Sequence, residues 1–219
     1  MMRALVTGLC LMLPALDAKA CETALLLAID VSGSIDAGEY ALQVQGLAAA
    51  LEDPEVAEIL QRGQVALSVV QWSGTGLQSL VVPWRRMRTP ADVAGFATTA
   101  RSLPRAFDGS DTAVGEAVGF ATAQFAQVPD CRRHVIDISG DGPENAGFTI
   151  GQTRAQAIRQ GIEINAIAIE DMGVTTPIAA FYRKWVISPK GFVIVARGLE
   201  DYPRAIREKL IRELSKPVG

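Results

Sequence analysis

Residues 24–34, ALLLAIDVSGS, decide the fold of this chain. The apolar run Ala24–Ile29 is typical of a strand that is buried on both faces of a parallel sheet. It ends in three oxygen-bearing side chains at alternate positions, Asp30, Ser32 and Ser34. The pattern therefore predicts a strand that delivers one carboxylate and two hydroxyls to the tip of a sheet.

The rest of the chain alternates apolar strands with amphipathic helices. After the first strand, apolar residues from Tyr40 to Leu51 recur at helical spacing, and Pro54 predicts the end of that helix. The alternation predicts an α/β fold: a doubly wound, mostly parallel six-stranded sheet with helices on both faces. The other five strands are predicted at Val65–Trp72, Leu77–Val82, His134–Ser139, Ile164–Ile169 and Gly191–Ala196.

Bulk composition indicates one globular domain. The chain has 219 residues, of which 49% are hydrophobic and 21% charged, and its formal net charge is −3. This is enough apolar material for a core. No basic stripe runs along any segment, which argues against nucleic acid as a partner.

The N-terminus predicts export. Arg3 precedes an apolar stretch, Ala4–Leu16, and Ala18-Lys19-Ala20 offers a small-x-small cleavage site. We therefore expect a signal peptide at residues 1–20, a mature domain at residues 21–219, and a periplasmic or secreted protein. The apolar stretch is too short for a stable membrane anchor, so no span is expected after cleavage. A buried first strand or helix is the alternative, and lipidation of Cys21 also stays open.

Two further loops carry oxygen ligands to the same predicted end of the sheet. The strand His134–Ser139 runs into Asp141, and Asp111 and Thr112 lie in a loop that enters a helix. Ligands of such sheets bind beyond the carboxyl ends of the strands. Carboxylate and hydroxyl oxygens suit a hard cation such as Mg²⁺.

The pattern Asp30-x-Ser32-x-Ser34, then Thr112, then Asp141 resembles the metal-ion-dependent adhesion site of von Willebrand factor type A domains. The order of strands and helices is similar too, over nearly the whole mature chain. Within that superfamily the chain resembles exported bacterial single-domain members of unknown function. The resemblance implies that these five residues bind Mg²⁺ or Mn²⁺, and that an acidic side chain of a partner protein fills an open coordination position.

Each of these residues has a structural alternative. Asp30 and the pair Asp141-Gly142 are compatible with ordinary turns. Ser32 and Ser34 are compatible with capping the following helix, and Thr112 with capping its own.

The cysteines predict one disulfide. Cys10 leaves with the signal peptide, so the mature chain keeps Cys21 and Cys131, an even number in an exported protein. In the family's sheet the strands that end at Asp30 and Asp141 are parallel neighbours. The two cysteines precede those residues by similar lengths of chain, which places both at the amino end of the sheet.

These observations together predict an exported, divalent-metal-dependent protein-binding module that is not an enzyme. A metal-assisted hydrolase that uses the same oxygens is one alternative, although the only histidine, His134, starts a strand at the opposite end. A structural metal site with no partner is the other alternative.

Overall fold

The computed structural model describes residues 21–108, 111–170 and 177–216. The predicted signal peptide, residues 1–20, lies outside the described residues. The strands form a single six-stranded sheet in the order β3-β2-β1-β4-β5-β6. All neighbours run parallel except β2 and β3, which are antiparallel. The strands are β1 (Thr23–Asp30), β2 (Ala66–Trp72), β3 (Gln78–Arg86), β4 (Arg133–Gly140), β5 (Ile162–Ile169) and β6 (Val193–Ala196).

Helices cover both faces of the sheet, so the predicted fold class is confirmed. A short π-helical turn, Tyr182–Val186, follows α6, and one 3₁₀ turn, Leu199–Asp201, precedes α7. The helices are α1 (Ala37–Glu52), α2 (Pro54–Arg62), α3 (Pro90–Arg101), α4 (Val114–Gln124), α5 (Ile150–Arg159), α6 (Ile178–Phe181) and α7 (Tyr202–Leu214).

Strand β1 contributes side chains to two hydrophobic cores, one on each face of the sheet. Its side chains alternate, so that Leu25, Leu27 and Ile29 pack under α1 and α7, whereas Leu26 and Ala28 pack under α4. All eight residues of β1 are buried. This two-sided burial explains why the sequence of the strand is continuously apolar rather than alternating.

Two elements differ from the sequence-based expectation. Pro54 does not simply end the first helix, because it also begins α2, where the Asp53 side chain accepts hydrogen bonds from the N–H groups of Glu55 and Val56. Proline is favoured at the first position of a helix because its missing N–H would be unpaired there. Strand β3 also extends past the predicted Val82 to Arg86.

The amino end of the sheet carries the predicted disulfide. Cys21 and Cys131 are bonded, with 4.4 Å between their Cα atoms. Thr23 of β1 pairs with Arg133 of β4, so each cysteine lies two residues before a paired position. In the part of the chain that the structure describes, no helix is long and apolar enough to cross a membrane.

Candidate metal centre

The carboxyl ends of β1 and β4 bring the two predicted acids together. Asp30 is the last residue of β1 and Asp141 directly follows β4. The pairing of Ile29 with Ser139 sets the two strand ends side by side. Asp30 is fully buried, whereas Asp141 is partly exposed at the rim.

Hydrogen bonds connect the serines to both acids. The Ser32 N–H donates to Asp30 Oδ1 at 2.7 Å, and the Ser34 hydroxyl donates to Asp141 Oδ1 at 2.8 Å. The two serine hydroxyl oxygens are 3.3 Å apart. Thr112 is buried next to this group. A Cβ atom added to Gly142, the residue after Asp141, would lie 3.8 Å from the hydroxyl oxygen of Thr112. All five residues proposed from the sequence therefore lie at one end of the sheet.

Asp30 has a buried oxygen without a partner. Its Oδ2 atom accepts no hydrogen bond from the described residues. Burial, together with the nearby charge of Asp141, raises the pKa of Asp30 to about 7, although hydrogen bonds from Ser32 and the Asp141 backbone act in the opposite direction. An unpartnered buried carboxylate oxygen is costly, and a cation is one species that would remove the cost.

The hydroxyl of Tyr182 also faces this region. It is buried and, within the described ranges, has no hydrogen-bond partner. Burial and the charges of Asp30 and Asp141 raise the pKa of Tyr182 well above its ordinary value. The space between the end of β4 and Tyr182 is tight. A Cβ atom added to Gly140 would collide with the Tyr182 hydroxyl and would lie 3.0 Å from Asp30 Oδ2. Gly140 therefore leaves the room that the site requires.

The donor chemistry fits a hard divalent cation. Two carboxylates and three hydroxyls supply only oxygen ligands, and the charge of Asp141 adds to the effect of burial in raising the pKa of Asp30. Residues 21–108, 111–170 and 177–216 contain no group of three or more His, Cys, Asp or Glu side chains suited to a metal. A cation held by the five candidate residues would therefore take hydroxyl as well as carboxylate oxygens.

The helix-capping alternatives do not describe this arrangement. Asp36 caps α1, accepting from the Glu39 N–H, while the Glu39 side chain accepts from the Asp36 N–H. Helix α4 begins after Ala113 without a side-chain cap from that residue. The hydroxyls of Ser32, Ser34 and Thr112 are consequently not used as caps of these helices.

Three supporting residues were not assigned a role from the sequence. Arg105 Nη2 donates to the carbonyl oxygens of Val31 and Ser32, both at 2.9 Å, and so fixes the loop after β1. Asn145 Oδ1 accepts from the Thr112 N–H at 2.7 Å. Glu144 Oε1 accepts from the Gly115 N–H at 2.8 Å.

The sequence signal for these residues was weak. Glu144 and Asn145 are close to Asp141 in the chain, but proximity alone did not indicate that they hold the start of α4. Nothing in the sequence links Arg105 to a loop 73 residues away.

A family profile with the description "Protein of unknown function (DUF1194)" matches residues 20–218. The chain belongs to this family. No curated protein matches the DUF1194 chain. Similarity to solved structures is confined to the fold, because sequence identities are low.

Three solved structures illustrate that fold. Proximal thread matrix protein 1 from the mussel byssus was solved with zinc in its MIDAS motif, the metal-ion-dependent adhesion site. It has a TM-score of 0.66 and 15% identity, and the match covers 88% of the DUF1194 chain and 48% of the byssus chain. A von Willebrand factor type A protein from Catenulispora acidiphila has a TM-score of 0.61 and 17% identity. The match covers 90% of the DUF1194 chain and 43% of the Catenulispora chain. The conserved hypothetical protein BatB from Bacteroides thetaiotaomicron has a TM-score of 0.60 and 16% identity. The match covers 90% of the DUF1194 chain and 100% of the BatB chain.

The DUF1194 chain thus spans less than half the length of the first two structures and matches the full length of the third. Its fold is that of a von Willebrand factor type A domain, which confirms the resemblance seen in the sequence.

Proposed function

We propose that this chain is an exported, divalent-metal-dependent module that binds another protein. Asp30, Ser32, Ser34, Thr112 and Asp141 hold Mg²⁺ or Mn²⁺, and an acidic side chain of the partner completes the coordination. The observation that carries the proposal is the buried Asp30 Oδ2, which has no hydrogen-bond partner among the described residues, at a place where oxygen ligands from three loops converge.

The charges of the site favour an acidic ligand. Two carboxylates, Asp30 and Asp141, balance a divalent cation without exceeding its charge, so attraction for a third carboxylate remains. When bound, the cation supplies a Lewis-acidic position for that carboxylate. Arg105 and Asn145 hold the loops that carry Ser32 and Thr112, which keeps the oxygens in place before the partner arrives.

Export and the absence of catalysis belong to the same proposal. The predicted signal peptide at residues 1–20 and the disulfide between Cys21 and Cys131 both suit an oxidising compartment, periplasmic or extracellular. The domain at residues 21–219 then acts as a binding module rather than as an enzyme. His134 lies at the amino end of β4, where its Nε2 is 3.2 Å from the Val128 carbonyl oxygen.

Neighbouring folds lend support of a general kind. The mussel byssus protein carries zinc in its MIDAS motif, which shows that the fold can hold a divalent metal there. The oxygen-only donor set of this chain favours Mg²⁺ or Mn²⁺ over zinc.

Calorimetric titration with Mg²⁺ and Mn²⁺ tests the metal site. We expect Asp30→Asn and Asp141→Asn each to weaken metal binding at least tenfold, because each removes a charge while nearly keeping the side-chain shape. Asp36→Asn is the matched control, since asparagine also caps helices and this acid only caps α1. Equal metal affinity in all four proteins would contradict the proposal.

A further inference from the structure

Phe148 is an unusual residue on the loop that follows Asp141. Its side chain is 76% exposed, and only Trp185, at 50%, is another exposed large hydrophobic residue in the described part of the chain. Its backbone φ is +51°, in the left-handed region that bulky side chains rarely adopt. Phe148 therefore combines an exposed apolar ring with an unfavourable backbone conformation.

The loop holds Phe148 in this conformation. The Phe148 N–H donates to the Ala146 carbonyl at 2.8 Å. Gly147 has a φ of +73° and lies against Glu116, since a Cβ added there would be 3.0 Å from Glu116 Oε1. Backbone strain of this kind persists where the surroundings impose it, often at functional sites.

The same loop is joined to the candidate metal centre. The Asn145 N–H donates to the Thr112 carbonyl at 3.0 Å, and the Asn145 side chain accepts from the Thr112 N–H. Phe148 follows Asn145 by three residues, so their Cα atoms are at most about 11 Å apart. Because Asn145 also contacts Thr112, one of the five proposed ligands, this loop holds Phe148 at the same end of the sheet as the centre.

We propose that Phe148 is the apolar anchor of the partner-binding surface beside the metal centre. The partner then presents an acidic side chain to the metal and, a few residues away, a large aliphatic or aromatic side chain to Phe148. Phenylalanine, like the other aromatic residues, is enriched in protein–protein interfaces relative to the rest of the surface. This inference rests on the proposed function, because the metal-bound carboxylate sets where the partner lies.

Selection from a random-peptide phage library tests the inference. Immobilised wild-type protein is panned with Mg²⁺ and, in parallel, with EDTA. We expect peptides that depend on Mg²⁺ and contain an acidic residue with a large apolar residue within a few positions. The selected peptides are then synthesised and titrated against variants of Phe148.

Phe148→Asn is the informative variant. Asparagine adopts the left-handed conformation readily, so we expect an equal or higher melting temperature and unchanged Mg²⁺ affinity. We expect the affinity for the selected peptides to fall at least tenfold. Phe148→Tyr, which keeps the ring, is expected to retain peptide affinity.

The outcomes separate this inference from the proposed function. Mg²⁺-dependent acidic peptides that show no apolar preference and bind Phe148→Asn as tightly as wild type would overturn the role of Phe148 and leave the metal-dependent module standing. Peptides selected equally well in EDTA, with no acidic residue, would overturn both.

Discussion

At the scale of single residues, Gly140 leaves no room for a larger side chain. A Cβ there meets the Tyr182 hydroxyl and crowds the Asp30 carboxylate. We expect Gly140→Ala to lower the free energy of unfolding by about 1–3 kcal/mol, as overpacking of a filled site does, and to weaken Mg²⁺ binding. Urea denaturation and calorimetric titration measure the two effects.

Gly95→Ala is the control for this substitution. Gly95 lies within α3, where no heavy atom comes within 4 Å of an added Cβ. Alanine is the better helix former by about 0.5–1 kcal/mol, so this variant should be slightly more stable and should bind the metal normally. Equal behaviour of the two alanine variants would show that the close approach at Gly140 is unimportant.

The sequence located the acids and hydroxyls of the candidate site but not the residues that support them. Asp30, Ser32 and Ser34 stood out because polar groups at alternate positions end an apolar strand. Arg105 carried no such signal, because arginines in loops are mostly solvated. The conformation of Phe148 was also invisible, since phenylalanine gives no indication of a positive φ.

At the scale of elements, α7 is attached to the sheet by a buried charged cluster. Lys209 Nζ lies 2.6 Å from Asp137 Oδ1 on β4 and 2.5 Å from Glu213 Oε1 on its own helix. Asn165 Nδ2 on β5 donates to Glu213 at 2.9 Å. Two carboxylates therefore share one ammonium group in the core.

This cluster makes stability depend on pH. Burial raises the pKa of Glu213 to about 7; the charge of Asp137 adds to this rise, and Lys209 opposes it. The folded protein keeps a proton there that the unfolded chain releases near pH 4.5, the ordinary value of the group. Stability is consequently greatest below the unfolded pKa and decreases as the pH rises towards about 7.

Glu213→Gln is expected to flatten this pH dependence. In EDTA, the wild-type free energy of unfolding should fall between mildly acidic and mildly alkaline pH by about 2–3 kcal/mol more than that of the variant. Urea titrations at several pH values measure the difference. Glu208→Gln, on the exposed side of the same helix, should keep the wild-type slope. A wild-type slope in Glu213→Gln would contradict the assignment.

The periodic pattern predicted α7 as an element but not this cluster. From the sequence, Lys209 and Glu213 have the spacing of an ordinary surface pair on a helix. Asp137 lies between two isoleucines of β4, with nothing to indicate its partner. Only the docking of α7 against β4 and β5 brings the three charges together. Helix α2 was missed for a different reason, because Pro54 also marks the end of α1.

At the scale of the whole molecule, the disulfide closes a large loop. Cys21 and Cys131 are 110 residues apart in sequence, so the bond removes much freedom from the unfolded chain. The chain-entropy model gives a stabilisation of about 4–5 kcal/mol for a loop of this size. We expect the double variant Cys21→Ala/Cys131→Ala to lose stability on that order in urea denaturation.

Reduction of the wild-type protein provides the matched comparison. The reduced protein should unfold at lower urea concentration than the oxidised protein, whereas the double variant should be insensitive to reductant. Identical urea midpoints for oxidised and reduced wild type would contradict the stabilising role. The pairing was predicted from the two cysteines that remain after signal cleavage, and the strand order of the family supported it.

Both edge strands of the sheet carry features that disfavour pairing with a further strand. On β3, Pro83 lacks an N–H donor, the register with β2 shifts, and Arg85 is charged and exposed. On β6, which has only four residues, Arg204 Nη2 donates to the Val195 carbonyl at 2.8 Å. Unprotected edges invite aggregation between copies. Copies of this domain are therefore expected to resist edge-to-edge pairing at high concentration.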